Sequence, residues 1–334
     1  MNPIRPRRAF LRHGAALGAS LSLSRVAQAQ SDWPRGPIRF IVPFPAGGST
    51  DMLARLLGQG ISARLGQPVV VDNRGGAGGM IGTNGIAKSA PDGLNFGLTT
   101  VSSIITAPFI YDKVPYDVDK EIGFVSLIAT VPMVLAVNPA VPVNTAPELL
   151  QWLKANKGKA SYGSVAVGHY GHVAAAHLND SLDAGMAHVR YKGEAQMLQD
   201  LLANQLPLSF VTIATAKPHV DIGKLRLVGI TGNRRHAAMP TVPTLAEQGL
   251  TDEVYRMNPG WIGVIAPAKT PAPIMHRMSA EIVAAAKDPA VAQKIFSWGM
   301  DFVGSTPEAY LEAYRREKIT WHRLLKQANV QPES

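Results

Sequence analysis

Along most of this chain, short runs of β-branched and aromatic residues give way to longer stretches whose apolar side chains recur every three or four positions. That alternation predicts strands joined by helices, an α/β fold with parallel sheets. Ile38-Arg39-Phe40-Ile41-Val42 and Pro68-Val69-Val70-Val71-Asp72 are the first expected strands, each leading to a helix, and Leu94-Asn95-Phe96-Gly97-Leu98-Thr99-Thr100 is the third. Met133-Val134-Leu135-Ala136-Val137 is wholly apolar, as a strand covered on both faces requires. Thr145-Ala146-Pro147-Glu148 carries a capping-box pattern and predicts a helix reaching Lys157. A second set of strand–helix units starts at Ala160-Ser161-Tyr162-Gly163-Ser164. It continues through Val189-Arg190-Tyr191-Lys192-Gly193, a helix ending near Asn204, and the strand Leu225-Arg226-Leu227-Val228-Gly229-Ile230. The last third returns to the opening style with Trp261-Ile262-Gly263-Val264-Ile265-Ala266, then helices over 271–287, 289–298 and 307–327. Asp288 and Thr306 stand at N-cap positions, and Leu311, Tyr314, Trp321 and Leu325 form the apolar stripe of the final helix. One set, a second set and a return predict two lobes joined by strands crossing near Val134 and Val264. A ligand would then lie in the cleft, at the strand-to-helix loops.

Length agrees with that division, since 334 residues suffice for two domains. Hydrophobic residues make up 46% and charged residues 17%, an ordinary globular balance. No unbroken apolar run reaches the ~18 residues of a membrane span. The absence of cysteine excludes disulfides, thiolate metal sites, a cysteine nucleophile and a lipidated cysteine. Arg5, Arg7, Arg8 and Arg12 precede a mildly apolar stretch and the small-x-small site Ala27-Gln28-Ala29, which predicts an export signal over 1–29 cleaved near Ala29. Arg7-Arg8-Ala9-Phe10-Leu11-Arg12 matches the twin-arginine pattern of such signals. Cleavage would lower the formal charge from +9 to +4, which gives little support to nucleic-acid binding, a function that needs a concentrated basic face.

The candidate chemistry sits in two loops. Pro43-Phe44-Pro45-Ala46-Gly47-Gly48-Ser49-Thr50-Asp51 joins the first strand to its helix, and Asn73-Arg74-Gly75-Gly76-Ala77-Gly78-Gly79 does so for the second. Glycines let a ligand approach the backbone, and a helix start offers free N–H groups with a partial positive charge, a ready anion site. Ser49 and Thr50 serve either as caps or as ligand contacts. Asp51 is favoured by the helix dipole in any case, or else meets a ligand amine or hydroxyl.

These residues resemble the Bug family, the TctC-like solute-binding proteins of tripartite tricarboxylate transporters. The resemblance rests on both loops and continues through Tyr116-Asp117, Val137-Asn138-Pro139, Tyr162-Gly163-Ser164, Tyr191-Lys192-Gly193, Pro240-Thr241-Val242-Pro243-Thr244, Gly260-Trp261 and Ser305-Thr306-Pro307. It implies a periplasmic, two-lobed, hinged binding protein-like II fold, with one lobe over 33–131 and 262–334 and the other over 132–261. It further implies a monomer without cofactor that binds a small organic anion through backbone N–H groups and waters, and a membrane transporter, or alternatively a sensor, as partner. Departures concentrate in the second lobe. Ser164-Val165-Ala166-Val167-Gly168-His169-Tyr170-Gly171-His172 has Ala166 for a family glycine and His169 for a family serine. Gln196 replaces a common proline, and Pro207 and Val211 replace usually acidic positions.

The expected ligand contacts are therefore Phe44, Ala46, Gly47, Gly48, Ser49 and Asp51 from the first loop and Ala77, Gly78 and Gly79 from the second. Ser102, Ser164, Gly168, His169, Tyr191 and Gly193 complete the set. At a helix start His169 is expected as a neutral imidazole with one donor and one acceptor. His169 and His172 have the spacing of a metal pair without a completing carboxylate, so no metal is expected. A dinucleotide enzyme is disfavoured because no acidic residue follows the glycine loop at ribose-binding distance, and a hydrolase because no Gly-x-Ser-x-Gly elbow occurs.

Overall fold

The computed structural model describes residues 33–330, and the export signal expected over 1–29 lies outside them. The chain opens with β1 (Ile38–Val42), α1 (Ser49–Leu65), β2 (Val69–Asn73), α2 (Met80–Ala87), β3 (Asn95–Thr100) and β4 (Ile122–Val131). It then passes to β5 (Met133–Val137), α3 (Ala146–Ala155), β6 (Ser161–Ser164), α4 (Tyr170–Leu182), β7 (Ala187–Arg190), α5 (Glu194–Leu202), β8 (Leu208–Thr212), α6 (Ile213–Val220) and β9 (Arg226–Ile230). It returns as β10 (Gly260–Pro267), α7 (Ala272–Ala286), α8 (Pro289–Ser297), β11 (Asp301–Phe302) and α9 (Pro307–Gln327).

Two sheets result, in the orders β11-β4-β10-β3-β1-β2 and β7-β6-β8-β5-β9. Their strand-helix-strand units are parallel: Phe40 pairs with Val71 on one side and Phe96 on the other, and β6 runs parallel to β7 and β8. The long strands that enter and leave each sheet are antiparallel. Each sheet has its own apolar layer. Phe40, Leu57, Ile61, Phe96, Val264 and Met278 fill the first, and Val134, Met197, Leu201, Val211 and Ile230 fill one face of the second.

The expected crossings near Val134 and Val264 occur at the starts of those strands. β4 ends at Val131 and β5 begins at Met133, so only Pro132 separates the sheets. On the return, Thr231 N–H donates to Met133 O at 2.9 Å, its hydroxyl accepts from Met133 N–H at 3.0 Å, and Gly260 pairs with Val131. Helix α9 straps this junction. Its Trp321 ring meets Tyr170 edge-on at 6.4 Å, Tyr314 OH donates to Asp119 at 3.3 Å, and Arg323 Nη2 donates to Glu253 at 2.8 Å. Asp288 and Thr306 cap α8 and α9 as expected, each accepting from backbone N–H groups of the first turn.

Three strands were not anticipated, among them the two-residue β11. β4 is a ten-residue, nearly continuous apolar run, which periodicity does not distinguish from a buried helix. β8 passes into α6 with no punctuating glycine or proline. Among the described residues no helix is long and apolar enough to cross a membrane.

Candidate functional site

The first side of the site is the start of α1. Gly48 occupies the N-cap position, and a glycine has no side chain with which to cap, so the first-turn N–H groups carry no side-chain acceptor. Neither Ser49 nor Thr50 caps; both lie inside the helix. Asp51 braces the loop from behind. Its Oδ2 accepts from Gly47 N–H at 3.0 Å and Arg55 Nε at 3.1 Å, and its Oδ1 accepts from Asn73 Nδ2 at 3.0 Å, which also donates to Phe44 O at 3.1 Å. Burial alone would raise this carboxyl, but hydrogen bonds from Arg55, Gly47 and Asn73 outweigh it and hold its pKa below the usual value.

The second glycine loop stands beside the first. Ala77–Gly79 make a 3₁₀ turn with Gly78 at φ +63°, a left-handed conformation that suits glycine. Gly78 faces Ala166 of the other half: a β-carbon added there would stand 3.2 Å from Ala166 Cβ. The same close approach recurs along the seam. β-Carbons at Gly193, Gly47 and Gly168 would stand 3.0 Å from Pro45 Cδ, 3.9 Å from Ala195 Cβ and 2.1 Å from Ile110 Cδ1. The two halves therefore touch, glycine backbone against side chains, in a closed arrangement.

On the second side the starts of α4 and α6 each have one N–H satisfied by a side chain, whereas α5 opens on Gly193 without a side-chain cap. His169 is the N-cap of α4, and its Nδ1 accepts from Gly171 N–H at 3.2 Å. That bond places the ring proton on Nε2, so the expected acceptor is used and a donor remains. Burial pushes the imidazole down to about 4, although one edge of the ring meets the cavity. Glu194, in the first turn of α5, does the equivalent for α6. Its Oε1 accepts from Thr212 N–H at 2.6 Å and Thr215 Oγ1 at 2.8 Å. Behind them, His172 and His188 stack at 4.0 Å, with Gly168 N–H donating to His172 Nδ1 at 3.1 Å and Ser164 Oγ 2.7 Å from His188 Nε2.

Between the sides lies a cavity of about 80 Å³. On the scale where one water needs ~10–15 Å³, this accommodates several waters or one small organic molecule. Phe44, Gly48, Ser49, Ser102 and His169 line it, five of the residues singled out from sequence. The others lie around it. Ala46 and Ala77 are exposed, Gly47, Gly78, Gly168 and Gly193 form the seam, and Gly79 lies against Ser103, Pro43 and Phe44. Asp51 is engaged internally, the Ser164 hydroxyl donates to Ala166 O at 2.9 Å, and Tyr191 OH donates to Asp200 at 2.8 Å, with burial leading its rise to about 12.

Thr50, weighed from sequence as a cap or a contact, also lines the cavity, and sequence reasoning missed much of the rest: Met133 and Trp261 at the crossings, Met197 and Phe210 on the second sheet's layer, Thr212 and Glu194. The Gly260-Trp261 pair beside an expected crossing strand was the available signal for one of these. Among the described residues the lining has no lysine or arginine; apart from Tyr170, whose hydroxyl donates to Val254 O at 2.9 Å, its ionisable side chains are His169 and Glu194. The cavity thus offers helix-start N–H groups, hydroxyls, an imidazole N–H and a carboxylate set in an apolar wall.

Two sheets joined by crossing strands around such a cavity define a two-lobed periplasmic binding protein-like fold. The family described as the tripartite tricarboxylate transporter family receptor (TctC) matches residues 53–330, and the chain belongs to it. It is 33% identical to Protein BugT of Bordetella pertussis over 297 residues, covering 88% of this chain and 90% of that one. A Rhodopseudomonas palustris protein solved with adipate superposes with TM-score 0.86 at 30% identity, covering 90% of this chain and all of the other. MatC from the same species, solved with bound malate, superposes with TM-score 0.82 at 25% identity, covering 88% and 100%.

Proposed function

We propose that the protein is exported to the periplasm, captures a small carboxylate between its lobes and delivers it to a tripartite tricarboxylate-type membrane transporter. The observation that carries this is the start of α1, whose N-cap glycine leaves first-turn amides uncapped beside a cavity free of basic side chains. An anion there is met by backbone N–H groups and the helix dipole. Relatives of the same fold solved with adipate and malate support the ligand class. The amides of Ser49 and Thr50, the Ser102 hydroxyl and His169 Nε2–H hold the acid, and Phe44 flanks it. Gly47, Gly78, Gly168 and Gly193 serve lobe closure instead. The lobes divide at 131/132 and 261/262; the membership of the two sheets supports the first division, while Gly260 and Trp261 already pair with β4. Cleavage near Ala29 completes maturation, and no catalytic step is assigned.

Titration calorimetry of the mature chain against mono- and dicarboxylates and amino acids tests capture. One-to-one saturable binding of at least one acid, absent for its methyl ester, is expected. Equal binding of acid and ester would overturn a carboxylate-directed site.

A further inference from the structure

Glu194 is the one carboxylate in the cavity wall, and the function above does not use it. Its place is fixed twice over. Gly193 before it abuts Pro45, and Ala195 after it lies against Gly47, so residue 194 sits over the turn that opens α1. One oxygen is tied to Thr212 N–H and Thr215 Oγ1, which sets the direction of the other. That second oxygen, Oε2, has no hydrogen-bond partner, and the side chain has no ion pair, among the described residues.

The consequence is electrostatic. A ligand carboxylate at the start of α1 shares the cavity with the Glu194 carboxyl group, and no lysine or arginine in the wall separates them. Like charges at such range in a partly dry site cost far more than in water. A dicarboxylate brings two negative charges to a wall that already holds one. A ligand whose own cation faces Glu194 removes the conflict, and charge-assisted hydrogen bonds are the stronger kind. The rest of the wall, with Met133, Met197, Phe210 and Trp261, suits an apolar body.

We infer that Glu194 selects a zwitterion: a compact α-amino acid with an apolar side chain, its carboxylate on the first turn of α1 and its ammonium on Glu194 Oε2. This rests on carboxylate capture in the same cavity and names the kind of acid.

Calorimetry with L-leucine, 4-methylpentanoate, 2-hydroxy-4-methylpentanoate, adipate and malate tests it, extended to alanine, valine, methionine and phenylalanine with their des-amino acids. Leucine and 4-methylpentanoate differ only in the ammonium. The native chain is expected to bind the preferred amino acid at least tenfold tighter than its des-amino and hydroxy counterparts, and both dicarboxylates more weakly still. In Glu194→Gln the amide oxygen still accepts from Thr212 and Thr215, so the unliganded melting temperature stays within a few degrees. The amino acid then loses at least tenfold in affinity while its des-amino counterpart does not. Adipate, malate or a des-amino acid binding as tightly as its amino acid overturns the role of Glu194 and leaves carboxylate capture standing. An unchanged ratio in Glu194→Gln does the same. A chain that binds no member of either series and neither dicarboxylate overturns both.

Discussion

The two walls of the cavity use the same device in opposite ways. Both are built from helix starts at the ends of parallel strands, where backbone N–H groups lack partners within the helix. On the wall from the first sheet, Gly48 leaves the start of α1 uncapped. On the wall from the second sheet, His169 accepts from Gly171 N–H at the start of α4 and Glu194 from Thr212 N–H at the start of α6, so one N–H at each is already used. What the second wall shows the ligand is the far side of its own caps, an imidazole N–H and a carboxylate oxygen. One wall recognises by backbone and suits any small anion; the other recognises by side chain and discriminates among them.

The sharpest test removes one backbone donor from the first wall. Proline is well tolerated at the first position of a helix, and the extended backbone at Gly48 (φ −84°, ψ 168°) accommodates a following proline. Ser49→Pro should therefore keep α1 while deleting an N–H. A hydrogen bond to a charged group contributes roughly 1.5–3 kcal/mol, so affinity for the cognate acid should fall about ten- to a hundredfold with little change in melting temperature. Unaltered affinity by calorimetry would mean the first wall does not hold the anion by that amide.

Asp51→Ala attacks the brace instead. It strips partners from Gly47 N–H, Asn73 and Arg55, the last about half exposed, so a loss of roughly 1–3 kcal/mol in urea unfolding is expected. Ligand affinity should fall less than in Ser49→Pro, because Asp51 does not line the cavity.

Gly168→Ala probes the seam. Its β-carbon would collide with Ile110, at 2.1 Å, only when the halves are closed, whereas the cost of its φ of +70° is paid open or closed. Affinity should drop about tenfold, some 1.4 kcal/mol, and Ile110→Ala should restore most of it in the double variant. Failure of the rescue would show that the seam is not what limits closure.

The gentlest effect comes from acid. Burial, chiefly, holds His169 at about 4, His172 at about 3 and His188 at about 4, against roughly 6.5 in an unfolded chain. The unfolded state takes up protons first, so stability attributable to these neutral rings is full above about pH 6.5. It declines as pH falls from there toward 4 and below. Each ring can contribute at most 1.36 kcal/mol per pH unit, and their partial exposure makes the slope smaller. His172→Phe should flatten the melting-temperature profile between pH 6.5 and 4; an unchanged profile would remove His172 from the decline.

Much of the architecture was legible because period and punctuation are local. Asp288 and Thr306 announced α8 and α9 correctly, since a cap is read within three residues. The loop from Phe44 to Ser49 was legible as a bare strand-to-helix turn, and Phe44, Gly48 and Ser49 of it line the cavity. β4 was not, since a buried strand and a buried helix segment look alike when every position is apolar. Nor were Met133, Phe210, Trp261 and Glu194 visible as cavity wall. The glycines expected to hold ligand include several that hold the opposite half, and sequence cannot separate the two because both need a bare backbone.

Local order along the chain determined that strands alternate with helices, that helix starts rich in glycine would present amides, and that the alternation breaks near Met133 and Trp261. Tertiary structure alone decided which helix starts remain empty. An amide becomes a ligand site only if no side chain of the molecule reaches it first. His169 does so locally, within its own helix start, but whether Glu194 does so depends on where neighbouring elements end in space, a distance that spacing in the sequence does not encode.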